Sequence, residues 1–262
     1  MLTEVHLDGF WRFKGYRACN GEELGAHATQ CQLDDWLLAE APLTAHTNLM
    51  DHNLIPDPFR GCNEREVQWV NENEWWYRKE IELDAEVVSK DKVELFFGGL
   101  DTFATIWVND EKVGEANNMF TPWRFNIKNI AKTGKNLIAI RFKPVCKVAC
   151  ELEQQHKQKS ACLSAENFSA RPYVRKAQYS FGWDWGPTLP TSGIWREAKI
   201  VAYNKARLGY VAASPLEVSR QKAKIRLSAE IHASGESDLT VKFKMSGFGQ
   251  HYETEVPVKV SE

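Results

Sequence analysis

The feature of this sequence that most restricts its fold is an alternation of apolar and polar side chains with a period of two. Between residues 75 and 83, Trp75, Tyr77 and Leu83 occupy one set of alternate positions, and Arg78 and Glu80 occupy the other. Successive side chains of a β-strand point to opposite faces, so this pattern predicts a strand with one apolar face.

Segments with the same period recur along the first part of the chain and are separated by residues that favour turns. They lie at 93–97, 104–108 and 135–143. Asn109-Asp110 follows the second segment and Thr133-Gly134 precedes the third, and both pairs favour tight turns. No regular alternation of helices with strands suggests a parallel sheet. The fold class predicted is therefore all-β, built as an antiparallel sandwich.

The character of the sequence changes near Tyr203. All ten Trp residues precede this position. Alternating segments with one polar face follow it, at 208–213, 223–231, 239–245 and 252–260. Such strands are typical of an immunoglobulin-like sandwich, but a complete one has about seven strands. The sequence therefore predicts a first sandwich over residues 1–203 and part of a second over residues 204–262.

One stretch, from Val145 to Ser169, lacks the two-residue period and is rich in Glu, Gln, Lys and Cys. It predicts a helical or irregular insertion between strands, and insertions of this length in a sandwich commonly serve a site. Three of the six cysteines, Cys146, Cys150 and Cys162, fall inside it. No Cys-x-x-Cys pair occurs in the chain, so zinc ribbons and thioredoxin-like chemistry are not expected.

Composition and motifs exclude several classes of function. The chain has 33 Lys and Arg against 35 Asp and Glu, a net charge of −2, so neither nucleic acid nor a membrane is expected as a partner. Phosphate-binding Gly-rich loops are absent, no cofactor is expected, and His46 and His52 are interpreted as ordinary residues rather than metal ligands. A cytoplasmic location with reduced thiols is expected, because no secretory signal is evident.

The segment with the clearest chemical content is the run from Tyr179 to Pro190, in which Gly182 and Gly186 enclose Trp183-Asp184-Trp185. An indole can stack on the C–H face of a sugar ring, and a carboxylate can accept hydrogen bonds from two hydroxyl groups. The run therefore predicts a rigid loop, and contact with sugar is one of two interpretations that the residues leave open. The alternative is that both Trp side chains fill the core and the carboxylate caps a turn.

A second turn-rich segment, Pro56–Gly61 followed by Asn63–Arg65, carries several polar side chains. From the residues alone it either lines a ligand pocket or wraps the outside of the sandwich. The sequence leaves these two interpretations open.

Several motifs, taken together and in order, resemble the opening of the β-mannosidases of glycoside hydrolase family 2. They are Asn53–Phe59, Val67–Val70, Trp75–Arg78, Gly99–Ala104, Asn118–Phe120, Gln178–Pro187 and Thr191–Arg196. The similarity runs from about Leu2 to Ala202. The Trp-Asp-Trp-Gly run is its most specific part.

The resemblance implies a galactose-binding-like jelly-roll domain, then an immunoglobulin-like domain, and then a catalytic (β/α)₈ barrel that lies outside this chain. The two catalytic carboxylates of a retaining glycosidase would lie in that barrel, so no residue of this chain is expected to be catalytic. Trp183, Asp184 and Trp185 would reach into the barrel, which is their partner in the same polypeptide. There they would contact a terminal β-mannose of an oligosaccharide.

Glu64 and Asp184 are accordingly not expected to transfer protons. The alternative function is a free-standing carbohydrate-binding or structural β-sandwich module without catalysis.

Overall fold

The computed structural model of the chain describes residues 2–156, 168–247 and 249–261. These residues divide into two compact units. The larger consists of Glu4–Val88 and Val93–Val201, and the smaller contains Ser89–Lys92 and the residues from Ala202 onward. The larger unit thus ends two residues before the predicted boundary.

Strands dominate the described part of the chain, with few and short helices. The strands are β1 (Thr3–His6), β2 (Gly9–Tyr16), β3 (Leu37–Ala41), β4 (Glu74–Leu83), β5 (Lys92–Phe97), β6 (Leu100–Asp101), β7 (Ala104–Val108), β8 (Glu111–Ala116), β9 (Trp123–Asn126), β10 (Gly134–Phe142), β11 (Phe181–Trp183), β12 (Gly186–Thr188), β13 (Gly193–Ile194), β14 (Ala198–Tyr203), β15 (Ala206–Val218), β16 (Ala223–Ala233), β17 (Ser237–Gly247) and β18 (Gln250–Val260). The helices are α1 (Ala45–Asp51), α2 (Ala85–Ser89) and α3 (Val145–His156). Short 3₁₀ turns occupy Asn63–Arg65, Gln68–Glu72, Arg171–Tyr173 and Gln178–Ser180.

Two large sheets dominate the larger unit, which also contains the two-stranded sheets β11–β12 and β6–β13. One large sheet has six strands in the order β3-β2-β4-β10-β7-β8, and the other has four in the order β1-β14-β5-β9. Every neighbouring pair in the six-stranded sheet is antiparallel. The prediction of an all-β antiparallel sandwich is confirmed.

The six-stranded sheet is covered by aromatic side chains on both faces. Trp75 and Trp76 are neighbours on β4 and therefore point to opposite faces, yet they are only 3% and 0% exposed. On one face Trp75 stacks on Phe13 with ring centroids 4.8 Å apart. On the other, Trp76 stacks on Trp107 at 5.1 Å, and His27 covers Trp107 at 5.4 Å. Because both faces of this sheet are buried, several of the ten Trp residues of the chain are needed to cover it.

The segment between β2 and β3 supplies the cover on the second face. Arg78 of β4 donates hydrogen bonds to the backbone carbonyls of Ala26 and Ala28, at 2.5 and 2.9 Å. Its guanidinium also lies 5.6 Å from the ring centroid of Trp36. The buried guanidinium of Arg78 thus holds the irregular segment between β2 and β3 against the sheet.

The smaller unit contains two hairpins, β15–β16 and β17–β18, both antiparallel. The four predicted strands are present. Along β16, Leu227, Ala229 and Ile231 are half-buried while Arg226 and Ser228 are exposed, as the two-residue period requires.

The predicted insertion begins with α3, so its helical interpretation is confirmed for Val145–His156. Val145 and Ala149 of this helix pack with Val174 and Phe181 in a small apolar cluster. Residues 157–167, which include Cys162, lie outside the described residues. None of the helices within the described ranges is long and apolar enough to cross a membrane.

Candidate functional site

The Trp-Asp-Trp run forms the tip of a short β-hairpin. Phe181 pairs with Thr188 and Trp183 pairs with Gly186, which leaves Asp184 and Trp185 as the connecting residues. Gly182 adopts a φ of +90°, and a Cβ at that position would lie 2.5 Å from Oγ1 of Thr188. The hairpin therefore depends on a glycine at residue 182.

All three residues at the tip are exposed. Trp183 is 44% and Trp185 is 73% accessible, and Asp184 is also exposed. The alternative that these indoles fill the core is therefore wrong. Within the described part of the chain, the Asp184 carboxylate has no hydrogen-bond or ionic partner and can accept bonds from a ligand.

The two indoles are not equivalent. The guanidinium of Arg171 lies 5.3 Å from the ring centroid of Trp183, so one face of that ring is already occupied by a cation. The rings of Trp183 and Trp185 are 6.2 Å apart and inclined by 45°. Trp185 therefore offers the larger free surface for stacking, and Trp183 is the more firmly held.

The second strand of the hairpin is held from outside by Glu64, which belongs to the turn-rich segment, and by Gln68, which follows that segment. Oε1 of Glu64 accepts a hydrogen bond from the backbone N–H of Thr188 at 2.6 Å. Nε2 of Gln68 donates to the carbonyl of the same residue at 2.9 Å. The segment Asn63–Arg65 thus braces the hairpin, an outcome that neither sequence interpretation of that segment described.

The two ends of the chain segment that carries the hairpin meet at a buried ion pair. Nζ of Lys176 lies 2.6 and 2.5 Å from the two carboxylate oxygens of Asp101, and these side chains are 0% and 1% exposed. Nζ also donates to the carbonyl and Oγ1 of Thr191, at 2.9 and 3.1 Å. Oγ1 of Thr191 donates to Asp101 at 2.6 Å, and so does Oγ1 of Thr102.

Burial lowers the pKa of Lys176, and the Asp101 carboxylate opposes that shift. Both charges are desolvated and hydrogen-bonded. The pair therefore anchors the segment of residues 176–191 structurally and does not serve in proton transfer. No pattern in the sequence indicates this pair, because Lys176 and Asp101 lie 75 positions apart.

His46 lies in α1, close enough to this pair for both charges to affect its pKa. The pKa of His46 is lowered to about 4, mainly by burial and also by Lys176, while Asp101 opposes the shift. Neither ring nitrogen has a hydrogen-bond partner among the described residues. His46 is therefore buried and neutral. No group of three or more potential metal ligands occurs within the described ranges.

The two described cysteines of the insertion are poor nucleophiles. Burial raises the pKa of Cys146 to about 11, and it also raises the pKa of Cys150. A thiol with a raised pKa is protonated at neutral pH and reacts slowly.

With this geometry established, comparison with known proteins places the chain in a family. Residues 15–196 match the family described as glycosyl hydrolase 2 galactose-binding domain-like. The chain belongs to this glycosyl hydrolase 2 family. The matched range contains the hairpin, the side chains of Glu64 and Gln68 that hold it, and the buried ion pair.

Named relatives of this glycosyl hydrolase 2 chain include β-mannosidases. Beta-mannosidase B of Thermothelomyces thermophilus is 35% identical over 219 residues, which are 83% of this chain and 25% of that protein. Beta-mannosidase of Mus musculus is 32% identical over 206 residues, 76% of this chain and 23% of that protein. The chain thus spans about a quarter of the length of these relatives.

A solved structure, that of the beta-D-mannosidase from Dictyoglomus thermophilum, is also similar. Its TM-score is 0.81 at 34% identity, and the match covers 99% of this chain and 31% of that one. The resemblance to the β-mannosidases of this family, first noted in the sequence motifs, is confirmed.

Proposed function

We propose that this chain is the N-terminal, non-catalytic region of an exo-acting, retaining β-mannosidase. The Trp183-Asp184-Trp185 hairpin, exposed at its tip and fixed at its base, is the observation that carries the proposal. The names of the relatives support mannosides as the substrate class. In the whole enzyme the hairpin would complete the pocket for a terminal β-D-mannose.

Each tip residue has a distinct part in this proposal. The exposed ring of Trp185 stacks on the apolar face of the sugar. Asp184 accepts hydrogen bonds from sugar hydroxyls through its unpartnered carboxylate. Trp183, held by Arg171, keeps the tip in place. A carboxylate that is desolvated by substrate discriminates strongly, because a sugar lacking the hydroxyl would leave it unpaired.

The catalytic carboxylates belong to the rest of the polypeptide in this proposal. A retaining glycosidase needs two carboxyl groups about 5–5.5 Å apart. Glu64, an acid that contacts the hairpin backbone, is engaged with the N–H of Thr188. Purified chain of residues 1–262 is therefore expected to show no turnover of an aryl β-mannoside, and any turnover would contradict the proposal.

The decisive experiment replaces Asp184 with Ala in the full-length enzyme. The loss of hydrogen bonds to a charged acceptor is expected to cost about 2–4 kcal/mol in the transition state. That corresponds to a fall of about 30- to 1,000-fold in kcat/KM for an aryl β-mannoside. The matched control is Asp34→Ala, which removes an exposed carboxylate from a different loop. A value for Asp184→Ala within twofold of wild type would exclude the role.

A further inference from the structure

We infer that Glu64 and Gln68 are positioning residues that act together as a surrogate strand along the hairpin and so set the orientation of Asp184 and Trp185. The inference rests on the proposed function of that tip. It adds to that function two polar side chains that touch neither the substrate nor the reacting atoms.

The pairing pattern shows why the hairpin needs such a brace. The N–H of Leu189 donates to the carbonyl of Ser180 at 2.9 Å, one residue outside the Phe181–Thr188 pair. In an antiparallel ladder this makes Phe181 and Thr188 a non-hydrogen-bonded pair, whose backbone groups point away from each other's strand. The N–H and C=O of Thr188 therefore face outward, as at an open sheet edge.

Glu64 and Gln68 satisfy both of those outward groups at once. The carboxylate accepts from the N–H at 2.6 Å and the amide donates to the C=O at 2.9 Å. One acceptor and one donor are what a third strand would present to Thr188. The two side chains replace that strand without adding backbone.

The brace is itself rigid. Nε2 of Gln68 also donates to the carbonyl of Glu64 at 2.8 Å, and Oε1 of Gln68 accepts from Asn71 at 3.0 Å. The orientation of the amide is therefore fixed, because each of its ends has a defined partner.

The brace is also tied to the main sheet. Nε1 of Trp75 on β4 donates to the carbonyl of Val70 at 2.9 Å. Hydrogen bonds, together with the peptide link from Val70 to Asn71, thus connect the buried sheet through Gln68 to Thr188, which lies four residues from Asp184. Catalytic geometry is sensitive to displacements of about 1 Å, so loss of the brace is expected to reach the tip.

The test compares four variants of the full-length enzyme, assayed with an aryl β-mannoside and by thermal unfolding. Glu64→Ala removes the acceptor and is expected to lower kcat/KM at least tenfold. Glu64→Gln keeps an amide oxygen as acceptor and is expected to stay within threefold of wild type. Gln68→Ala is expected to resemble Glu64→Ala. Glu66→Ala, an exposed acid in the same segment, is the control and is expected to be unchanged.

A positioning role requires that the activity falls without a general loss of stability, so the unfolding temperature of Glu64→Ala should stay close to that of wild type. Glu64→Ala activity within twofold of wild type would overturn the inference. Equal losses in Glu64→Ala and Glu64→Gln would also overturn it, because they would indicate a role for the negative charge itself.

Asp184→Ala measured in parallel separates this inference from the proposed function. If Asp184→Ala has full activity, the proposed function fails and the brace has no tip to position. If Asp184→Ala is impaired and Glu64→Ala is not, only the brace is wrong. In the double variant Glu64→Ala/Asp184→Ala, the fall in kcat/KM should be smaller than the product of the two single falls, because both substitutions act through the same contact with substrate.

Discussion

Replacing Lys176 with Met should destabilise the larger unit severely. The substitution removes the cation but leaves the carboxylate of Asp101 at 1% exposure, with the hydroxyl groups of Thr102 and Thr191 as its remaining donors among the described residues. Removing one partner of a buried ion pair costs about 3–5 kcal/mol. Domains are stable by only about 5–15 kcal/mol, so this loss is a large share of the total.

Urea unfolding followed by Trp fluorescence measures this loss directly. All ten Trp residues precede Tyr203, so the signal reports on the larger unit. With a denaturant slope of about 2 kcal/mol/M, a loss of 3–5 kcal/mol moves the midpoint down by about 1.5–2.5 M. The control Lys135→Met removes an exposed lysine and should change stability by less than about 0.5 kcal/mol.

A second substitution tests the cause of the loss. In Lys176→Met combined with Asp101→Asn, the buried charge is gone but the amide can still bond to both hydroxyl groups. Stability should recover by at least half, because replacing a whole buried ion pair costs far less than breaking it. A Lys176→Met loss below about 1 kcal/mol, or no recovery in the double variant, would refute the reasoning.

Three further predictions concern stability and reactivity. The pKa of His46 is about 4 in the folded chain against 6.5 when unfolded. Between these two pH values the unfolded state is protonated at His46 and the folded state is not, so lowering the pH reduces stability. Wild type should lose about 3 kcal/mol more than His46→Leu between pH 6.5 and pH 4, and equal losses in urea titrations would contradict this. Gly182→Ala should cost about 1–3 kcal/mol, since it combines a positive φ with a clash. In Gly186→Ala a Cβ meets nothing within 4 Å, so this control should stay near wild type, and similar costs would argue against the strain. Cys146, with a pKa of about 11, should have only about 0.1% thiolate at pH 8 and should alkylate long after the exposed Cys62 in peptide mapping; simultaneous labelling would contradict its burial.

The strands were predictable because their signal is local. Alternation along 75–83 and 223–231 depends only on neighbours in sequence, and the structure places β4 and β16 there. The display of two indoles and an acid on a turn was predictable, since the prolines fix the backbone nearby and the glycines permit the turn.

What could not be predicted is how that run is held. Glu64 meets Thr188 across 124 positions, and Lys176 meets Asp101 across 75. Single polar contacts between distant segments leave no periodic trace in the chain. The turn-rich segment at 56–61 and 63–65 therefore leaves two interpretations open, and its contact with the hairpin forms only in the folded chain.

The aromatic cover on both faces of β4 has a consequence for strand register. In most sheets a slip of one residue is penalised because it turns an apolar face to water. At Trp75 and Trp76 that penalty is weak, because either indole would still be buried after the slip. The register must instead be selected by residues that tolerate only one side. Arg78 is one, since its guanidinium finds carbonyl acceptors at Ala26 and Ala28 and would be unpaired among apolar rings on the opposite face. Near these two indoles a buried charge therefore adds to hydrophobic burial in deciding which way the strand faces, whereas farther along β4 the buried Leu83 and the exposed Glu80 and Glu82 follow the usual rule.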